Sequence, residues 1–471
     1  MLFRHSGIYI LAKLIPGVMA FAALSFYTHL LSPAEYGIYT LIFTGSVFLH
    51  NVIFNWLSTG TLRYWSNKEF ENSEFINTLS TTYIKIASVM FVIALIAITF
   101  YWGQQQAIWI SSAFLFLMAL ALFTITQILY SAKIEPVKYA QLTISYSVLA
   151  LLFGTLLSYL GYGAPGVVFG IAIGTFIPAL LVFKRTWLPY KKQLYNKVLI
   201  KRLIVYGLPL AAVALIEEII KVSDRFMLAG LIDKAEAGLY AVGYDLSGNS
   251  ILMLMSAINI ASYPVIIKLL DTEGKEVAIS YFRNYVILLM GVSIPAVVGL
   301  NLVGPNLVHL LIDTDFQAAV IFLLPWVTVS VFLLGIQVFY FDLAFQLGHK
   351  TIVSVKIAVV IAIINISLNL WLIPKLGMQG AAIATIASFG SGSMLSALLG
   401  RKYFSLPFPV LDISKIVLAT VIMCACLWFI KDLRGWGSLV LQLVVGLLSF
   451  LIVIFSFNIL NVRSQVLEFI R

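Results

Sequence analysis

The sequence predicts an all-α polytopic membrane protein with about fourteen transmembrane helices, and three observations predict it. Of the 471 residues, 61% are hydrophobic and only 11% are charged, whereas soluble chains are about 45–50% apolar and about 25% charged. The mean hydropathy is +1.01. Apolar windows of about twenty residues follow one another along nearly the whole chain, and each is long enough to cross a bilayer as a helix.

Turn residues or charges separate the predicted spans. Their limits are 6–31, 37–63, 78–102, 107–131, 138–160, 165–184, 203–231, 236–267, 281–303, 317–346, 351–373, 377–400, 411–430 and 437–461. The connections are predicted to be short except at 185–202 and 268–280. We read the first apolar run as a retained span, because Lys13 interrupts it early and Pro16 stands where a cleavage region would be expected.

The distribution of Lys and Arg predicts the orientation. With a cytoplasmic N-terminus, 22 of these residues fall in cytoplasmic loops and termini and four fall in outer loops. This bias follows the positive-inside rule and places both termini in the cytoplasm. The net charge of +10 is therefore explained by topology, and nucleic acid is not an expected partner.

The segment 184–202 is basic and amphipathic, with seven cations, no acid and interleaved Trp187, Tyr190 and Tyr195. Two interpretations stay open. It is either a linker that obeys the positive-inside rule, or a segment that lies on the inner leaflet and contacts an anionic lipid headgroup.

The chain repeats itself. AEYGIY at 34–39 returns as AEAGLY at 235–240, QILY at 127–130 as QVFY at 337–340, and GAPG at 163–166 as GMQG at 377–380. Six spans separate the copies, so the repeat predicts two parallel six-helix lobes with a binding site between them near mid-membrane. The predicted parts are an N-lobe (1–184), a basic linker (185–202), a C-lobe (203–402) and an appendix of spans 13 and 14 with a short tail (403–471).

The sequence feature that bears most directly on function is a charged face of the helix predicted for span 7. Glu217, Glu218, Lys221, Asp224 and Arg225 fall within an arc of roughly 120° on a helix. Isolated charges at membrane depth cost at least about 2.5–3.5 kcal/mol each, so this face is not expected to contact lipid. It must face water or other charges.

Three stretches resemble a known family: LSPAEYGIYTL after span 1, DRFMLAGLIDKAEAGLYAVGYDLS from span 7 into span 8, and the glycine turns before spans 6 and 12. They look like the polysaccharide-transporter branch of the MOP superfamily, which includes the Wzx-type oligosaccharide flippases. The resemblance implies a non-enzymatic transporter of the bacterial inner (plasma) membrane. It would carry an undecaprenyl-diphosphate-linked oligosaccharide outward by alternating access, for O-antigen, capsule or exopolysaccharide synthesis. Polysaccharide-assembly proteins are further candidate partners. In the similar lipid II flippases the extra helix pair forms a groove for the lipid tail, a role that stays open for spans 13 and 14.

Such a cargo needs cations for its diphosphate and aromatic or amide groups for its sugars. Spans 1, 2, 7 and 8 occupy equivalent places in the two lobes, so we expect them to line the cleft. The candidate substrate-binding residues are Lys13, His50, Asn51, Arg63, Lys221, Arg225, Tyr244 and Asn249. Lys85, near the inner end of span 3, is a further cation within the membrane that can also extend to the surface.

Acidic residues are the candidates for coupling to a proton or sodium counter-ion: Glu217, Glu218, Asp224 and Asp245. Of the paired glutamates we favour Glu217, since it shares the centre of the charged arc. The alternative is structural. Glu217 with Lys221 and Lys221 with Asp224 stand at helical spacing for ion pairs that neutralise one another. The two interpretations are compatible.

Two other functions were weighed. A MATE-type multidrug or cation antiporter would fit the repeat and the acids, although it more typically has twelve spans. An integral-membrane polysaccharide polymerase or glycosyltransferase would need catalytic motifs, and the sequence shows no catalytic triad, zinc spacing or phosphate loop. No metal or cofactor is expected. Cys424 and Cys426 read as small packing residues within one apolar run.

Overall fold

The computed structural model describes residues 2–65, 70–187 and 195–459, and this part of the chain is helical with no strand. The α-helices are α1 (Leu2–Leu30), α2 (Pro33–Ile53), α3 (Asn55–Tyr64), α4 (Asn72–Phe100), α5 (Gln105–Ala132), α6 (Pro136–Leu157), α7 (Gly163–Trp187), α8 (Lys197–Leu231), α9 (Lys234–Thr272), α10 (Lys275–Leu311), α11 (Thr314–Ile336), α12 (Leu343–Leu347), α13 (Thr351–Gly400), α14 (Val410–Trp428) and α15 (Trp436–Ser456). Two π-helical segments, Ser158–Tyr162 and Gln337–Phe341, extend α6 and join α11 to α12.

Ten helical stretches among the described residues are long and apolar enough to cross a membrane, and the predicted all-α fold class is confirmed. The run from α11 to α12 is one of these stretches. The long helix α13 is another, and Gly377 breaks it with φ 56 and ψ −135. The protein is therefore a multi-pass membrane protein.

Three boundaries differ from the predicted ones. Span 2 is interrupted at Phe54, whose φ of −117 ends α2 and begins α3 without a glycine or proline signal. The predicted long connection 268–280 is almost wholly helical, since α9 runs to Thr272 and α10 begins at Lys275. In the predicted linker 185–202, α8 already begins at Lys197, and 188–194 lies outside the described residues.

The first repeated motif is a helix start. Ser32 caps α2 through a capping box, in which its hydroxyl accepts from the Glu35 N–H and the Glu35 carboxylate accepts from the Ser32 N–H at 3.1 Å. Proline follows at the first helical position, where its missing N–H costs nothing. At the matching place in the second copy, Asp233 accepts from the Glu236 N–H at 2.8 Å at the start of α9. The motif therefore encodes the entry into α2 and into α9.

The glycine of each copy packs against the other copy. A Cβ at Gly37 would overlap the carbonyl group of Lys234, and a Cβ at Gly238 would overlap the carbonyl of Pro33. The first turns of α2 and α9 thus touch backbone to backbone, in a reciprocal way. Only glycine permits this approach.

The other repeated turns share a backbone conformation. Gly163, between α6 and α7, has φ 55 and ψ −146, and Gly377 in α13 has φ 56 and ψ −135. Likewise Ile134 after α5 and His349 after α12 both adopt positive φ, at 58 and 54. After Ile134 and after His349, the N–H of the next residue donates to a carbonyl five residues back. The internal repeat read from the sequence therefore has a structural counterpart.

Small residues hold the α6–α7 hairpin together. Gly166, Gly170 and Gly174 recur every fourth residue on α7, and a Cβ at any of them would overlap the facing turns of the hairpin. In a bilayer, helices associate by close packing, since lipid is as apolar as their side chains. In α13, Gly380 and Gly392 make the same kind of contact with Leu372 and Ile361 across the Gly377 break.

The chain forms two compact units, Met1–Gly238 and Leu239–Arg471. In the first unit, α8 packs along α2 and α3, so this helix lies with the N-terminal helices. The predicted lobe boundaries at 184, 202 and 402 follow the repeat rather than the packing, and they stay a prediction.

Helices α14 and α15 are fastened to α10 in the second unit. The Asn306 amide donates to Gln442 Oε1 at 3.1 Å, and its oxygen accepts from the Gly435 N–H at 3.0 Å. Gln442 in turn donates to the Ile430 carbonyl at 2.9 Å. Towards the other end of α10, Arg283 forms an ion pair with Asp412 at 2.9 Å. The appendix is thus a polar-anchored part of this unit.

We expect Gly170→Leu to destabilise the protein. Its side chain would collide with the backbone of Phe153 and Gly154, and overpacking typically costs on the order of 1–3 kcal/mol. The measurement is thermal unfolding of the purified protein. Gly299→Leu is the control, because no described atom lies within 4 Å of a Cβ there. Equal stability of the two variants would contradict the role assigned to the glycine row.

We expect Gln442→Leu to loosen the appendix. The change leaves the Asn306 amide and three carbonyls at the α14–α15 turn without their partner, and each buried unsatisfied group costs about 1–3 kcal/mol. Hydrogen exchange of α14 and α15 should rise. Ser438→Ala is the control, since Ser438 is half-buried and its hydroxyl donates to the Arg434 carbonyl in the turn just before α15. Unchanged exchange in Gln442→Leu would show that the anchor does not hold the pair.

Candidate functional site

The candidate site of the first unit lies where α8 runs antiparallel to α2 and α3. The tip of Phe226 lies 3.3 Å from the place of a Cβ at Gly45, Gly207 lies against the Trp56 carbonyl, and Gly60 lies against Leu203. These contacts fix the register of the two elements. His50, about midway between Gly45 and Trp56, therefore lies at the level of residue 217 on α8.

The same contacts fix which face of α8 is turned towards α2 and α3. Gly207 and Leu203 define that direction. With about 3.6 residues per turn, Arg225 lies five full turns after Gly207 and Glu218 lies within about 20° of it. Glu218 thus lies on the side of α8 that faces α3, and the choice between Glu217 and Glu218 stays a prediction.

The charges near the end of α8 are withdrawn from the surface. Asp224 is 2% exposed and Arg225 is 7% exposed, and Glu218 is half-buried. All three have polar or ionic partners. Burial of an ion is stable only when it is paired or hydrogen-bonded. The side chains of Glu217 and Lys221 lie outside the described residues.

His50 carries a buried polar atom on α2. Its ring is 5% exposed, and Nε2 is buried without a partner among the described residues. The ring stacks on Phe54 at 6.0 Å between centroids, and Phe54 packs on Tyr83 at 5.7 Å. The break between α2 and α3 thus lies directly beside the polar part of α2.

Other predicted residues are not brought to this level. Lys13 is exposed on α1, which packs mainly against α6. Arg63 is exposed in the last turn of α3, about 20 Å along the helix axis from His50. Tyr244, Asp245 and Asn249 are half-buried on α9 in the second unit. Their place in a shared cleft stays a prediction.

The structure also shows polar and aromatic groups that the sequence reading missed. Tyr36, Tyr39 and Phe43 form a row on α2 with ring contacts of 5.3 and 5.9 Å. Their spacing of three and four residues is the signal that could have found them. In the second unit, Asn369 donates to Asn365 at 3.1 Å inside the α13 hairpin.

Asp342, the residue before α12, has a hydrogen-bond partner in the second unit. The Ser396 hydroxyl donates to its carboxylate at 2.7 Å. The two residues are far apart in the chain, and the folding back of α13 brings them together.

Chemically, the α2–α8 site combines a guanidinium with carboxylates and an imidazole. Arginine grips phosphate or carboxylate through paired N–H donors, and Arg225 is a buried cation of α8. The adjoining acids can bind a cation or a proton. The site therefore suits an anionic group or a coupling ion within a membrane.

Two curated proteins of Haloferax volcanii are similar to parts of this chain. One is named "Probable flippase AglR" and is 28% identical over 253 residues, which are 52% of this chain and 51% of that protein. The other is named a probable low-salt glycan biosynthesis flippase and is 23% identical over 225 residues, 48% of this chain and 47% of its own. The chain thus spans about half the length of the curated relatives it matches.

Solved structures share the fold. The lipid II flippase MurJ in an inward closed conformation superposes with a TM-score of 0.77 at 15% identity, over 98% of this chain and 100% of that one. An inward-facing multidrug resistance MATE family transporter of the MOP superfamily has a TM-score of 0.60 at 14% identity, over 87% and 99%. At these identities the likeness shows the fold alone. The family described as "Polysaccharide biosynthesis protein" matches residues 27–321, well over half of the sequence, and the chain belongs to this family.

Proposed function

We propose that this protein is a flippase that moves a lipid-linked oligosaccharide across a membrane. Membership of a polysaccharide biosynthesis family and two partial relatives named as flippases support it. The observation that carries it is the buried Arg225 on the apolar helix α8, which packs along α2 and α3. A phosphate-linked glycan needs such a cation at membrane depth.

The finer part of the proposal concerns the cargo and the membrane. The cargo is an undecaprenyl-diphosphate-linked repeat unit, moved from the inner to the outer leaflet of the bacterial inner membrane, for O-antigen, capsule or exopolysaccharide synthesis. Both termini are cytoplasmic, as the excess of Lys and Arg on that side supports. Polysaccharide-assembly proteins supply and receive the cargo, and the protein itself performs no covalent chemistry.

Alternating access is the proposed mechanism. The contact between Gly37 and Gly238 closes the starts of α2 and α9 against each other, on the side that the charge distribution assigns to the exterior. To release cargo outward, these two helix starts must part. The two glycines meet through backbone atoms alone, so no ion pair between them has to break when the helix starts separate.

The multidrug antiporter remains the rival, since MATE transporters share the fold. An antiporter for cationic drugs would use the acids of α8 to bind its substrate, and Arg225 would serve only to neutralise them. The flippase instead uses Arg225 on the anionic cargo. Substitution of this residue separates the two.

Changing Arg225 tests the cargo role. If Arg225 grips phosphate, Arg225→Lys should fold normally and transport poorly, because the charge stays but the forked donor geometry is lost. If Arg225 is only structural, Arg225→Ala should lower folded protein, since breaking a buried pair costs about 3–5 kcal/mol. Transport of a fluorescent polyprenyl-diphosphate sugar into vesicles is measured beside thermal unfolding.

The matched control is Lys201→Ala, an exposed cation of the same helix. It should change neither transport nor unfolding. Normal glycan transport in both Arg225 variants would remove this residue from the site and favour the antiporter.

Changing the glutamates tests coupling. Outward movement of an anion from a negative interior is assisted by about 2.3 kcal/mol per charge per 100 mV, and an inward proton or sodium ion would add to it. We expect a proton or sodium gradient to speed transport, and Glu218→Gln to abolish the response more fully than Glu217→Gln. Glu276→Gln, exposed at the start of α10, is the control. If neither a proton gradient nor a sodium gradient changes the rate of wild-type transport, the coupling hypothesis is wrong.

A further inference from the structure

A long apolar groove lies in the first unit between α4, α5 and α7. Its cavity volume is about 620 Å³, within the usual range of ligand pockets of about 300–1,000 Å³. Aromatic rings dominate its walls, namely Tyr83, Phe91, Phe114, Phe176, Phe183 and Trp187. Phe91 and Phe183 are exposed, whereas Trp187 is buried at the base. The groove opens to the exterior of the helix bundle, where a membrane protein meets lipid.

The groove offers nothing to a polar ligand. Its three hydroxyls already donate to carbonyls: Tyr83 to Met118, Ser88 to Ile84 and Ser80 to Ile76, each at 2.9 Å. The Trp187 indole N–H donates to Thr126 at 3.1 Å, and the rest of the described lining is hydrocarbon except for the Met118 thioether. The occupant must therefore be an apolar chain.

The shape fits one chain that lies along the helices. On α4 the lining extends from Ser80 to Val92, about 18 Å of helix axis, which is more than half of a hydrocarbon core of about 30 Å. The groove is one channel, whereas a membrane phospholipid carries two acyl chains. A polyprenyl lipid carries one hydrocarbon chain.

A cation stands at the edge of this groove. Lys85 follows the lining residue Ile84, and by helical periodicity it lies beside the line through Ser88 and Val92. Its ammonium is held over the Tyr195 ring at 4.1 Å from the centroid, and no described carboxylate lies within ion-pair distance of it. A lysine without an acid partner suits a phosphate as a point charge.

A thin partition separates the groove from the polar part of α2. Tyr83 lines the groove and packs on Phe54, which stacks on His50. The α2–α3 break at Phe54 is part of this partition. An apolar chain in the groove is thus one layer of side chains away from the level of His50 and residue 217 of α8.

We propose that this groove holds the polyprenyl tail of the lipid-linked cargo, with its phosphate facing Lys85. The proposal rests on the flippase function above and names the part of the protein that keeps the tail while the glycan crosses. The tail stays in an apolar slot beside α4, so only the polar head has to pass the Phe54 partition. It assigns the tail to the N-terminal unit, whereas the resemblance had suggested spans 13 and 14.

The test uses purified full-length protein in nanodiscs with a photoreactive polyprenyl phosphate. The probe should crosslink to the segment 80–92 of α4. Ala87→Trp, which fills the groove, should reduce crosslinking about tenfold, as the loss of about 1.4 kcal/mol of binding implies. Ile96→Trp is the control, since Ile96 is exposed on the same helix outside the groove. Equal labelling of Ala87→Trp and wild type would overturn the proposal.

A second comparison tests the phosphate contact and the identity of the lipid. Lys85→Gln should weaken crosslinking of polyprenyl phosphate but not of the uncharged polyprenol, because only the phosphate uses the ammonium. Excess unlabelled polyprenyl phosphate should compete, whereas phosphatidylglycerol should not. Equal competition by phosphatidylglycerol would show a general lipid site and overturn the proposal.

Glycan transport is measured separately in the same preparations. If the wild type binds the probe in the groove but moves no glycan, the flippase function is contradicted and the groove proposal is not. If it transports glycan normally without binding the probe in the groove, the groove proposal is contradicted and the flippase function is not.

Discussion

Close contact between backbones at glycine is the constraint on which the rest of this structure depends. Water drives apolar faces together in soluble proteins, but in a bilayer helices gain little from that effect and associate through tight packing. The row Gly166, Gly170 and Gly174 on α7, the Gly207 contact with Trp56 and the Gly37–Gly238 contact all use this device. The Gly207 contact sets the register of α8 on α3, and through it the level of the charged part of α8 along the α2–α3 pair.

Much of the fold could be predicted because hydropathy and glycine both leave marks in a sequence. Apolar windows located the crossings, and GAPG with GMQG located two turns that share one backbone conformation. The break at Phe54 could not be predicted, since the stretch around it has neither glycine nor proline and the conformation is imposed by packing. The same is true of the π-helical segment Gln337–Phe341, which differs from an α-helix only in its hydrogen bonds.

The candidate site was predictable in its elements and less so in its details. Charges in an apolar helix pointed to α8, and amide and imidazole groups pointed to α2, because polar groups at membrane depth are costly and therefore rare. The choice between Glu217 and Glu218 required the direction of α2, which no single-helix pattern contains. The groove beside α4 was invisible in the sequence, because an apolar side chain in a lipid-facing groove is the same as one on a flat lipid-facing surface. The position of Lys85 beside Tyr195 could not be predicted either, because the two residues are distant in the chain.

The meeting of Gly37 with Gly238 has a consequence for how the cell could tune this protein. A contact made of peptide backbone has no titrating group and no mobile charge, so changes of pH or ionic strength outside the membrane leave it untouched. Charged side chains stand one turn away, in the caps: Glu35 in its box with Ser32 and Asp233 before α9. If the surroundings control how these helix starts open, they would therefore act on the stability of the caps. The glycine contact itself would stay chemically the same and serve as the hinge.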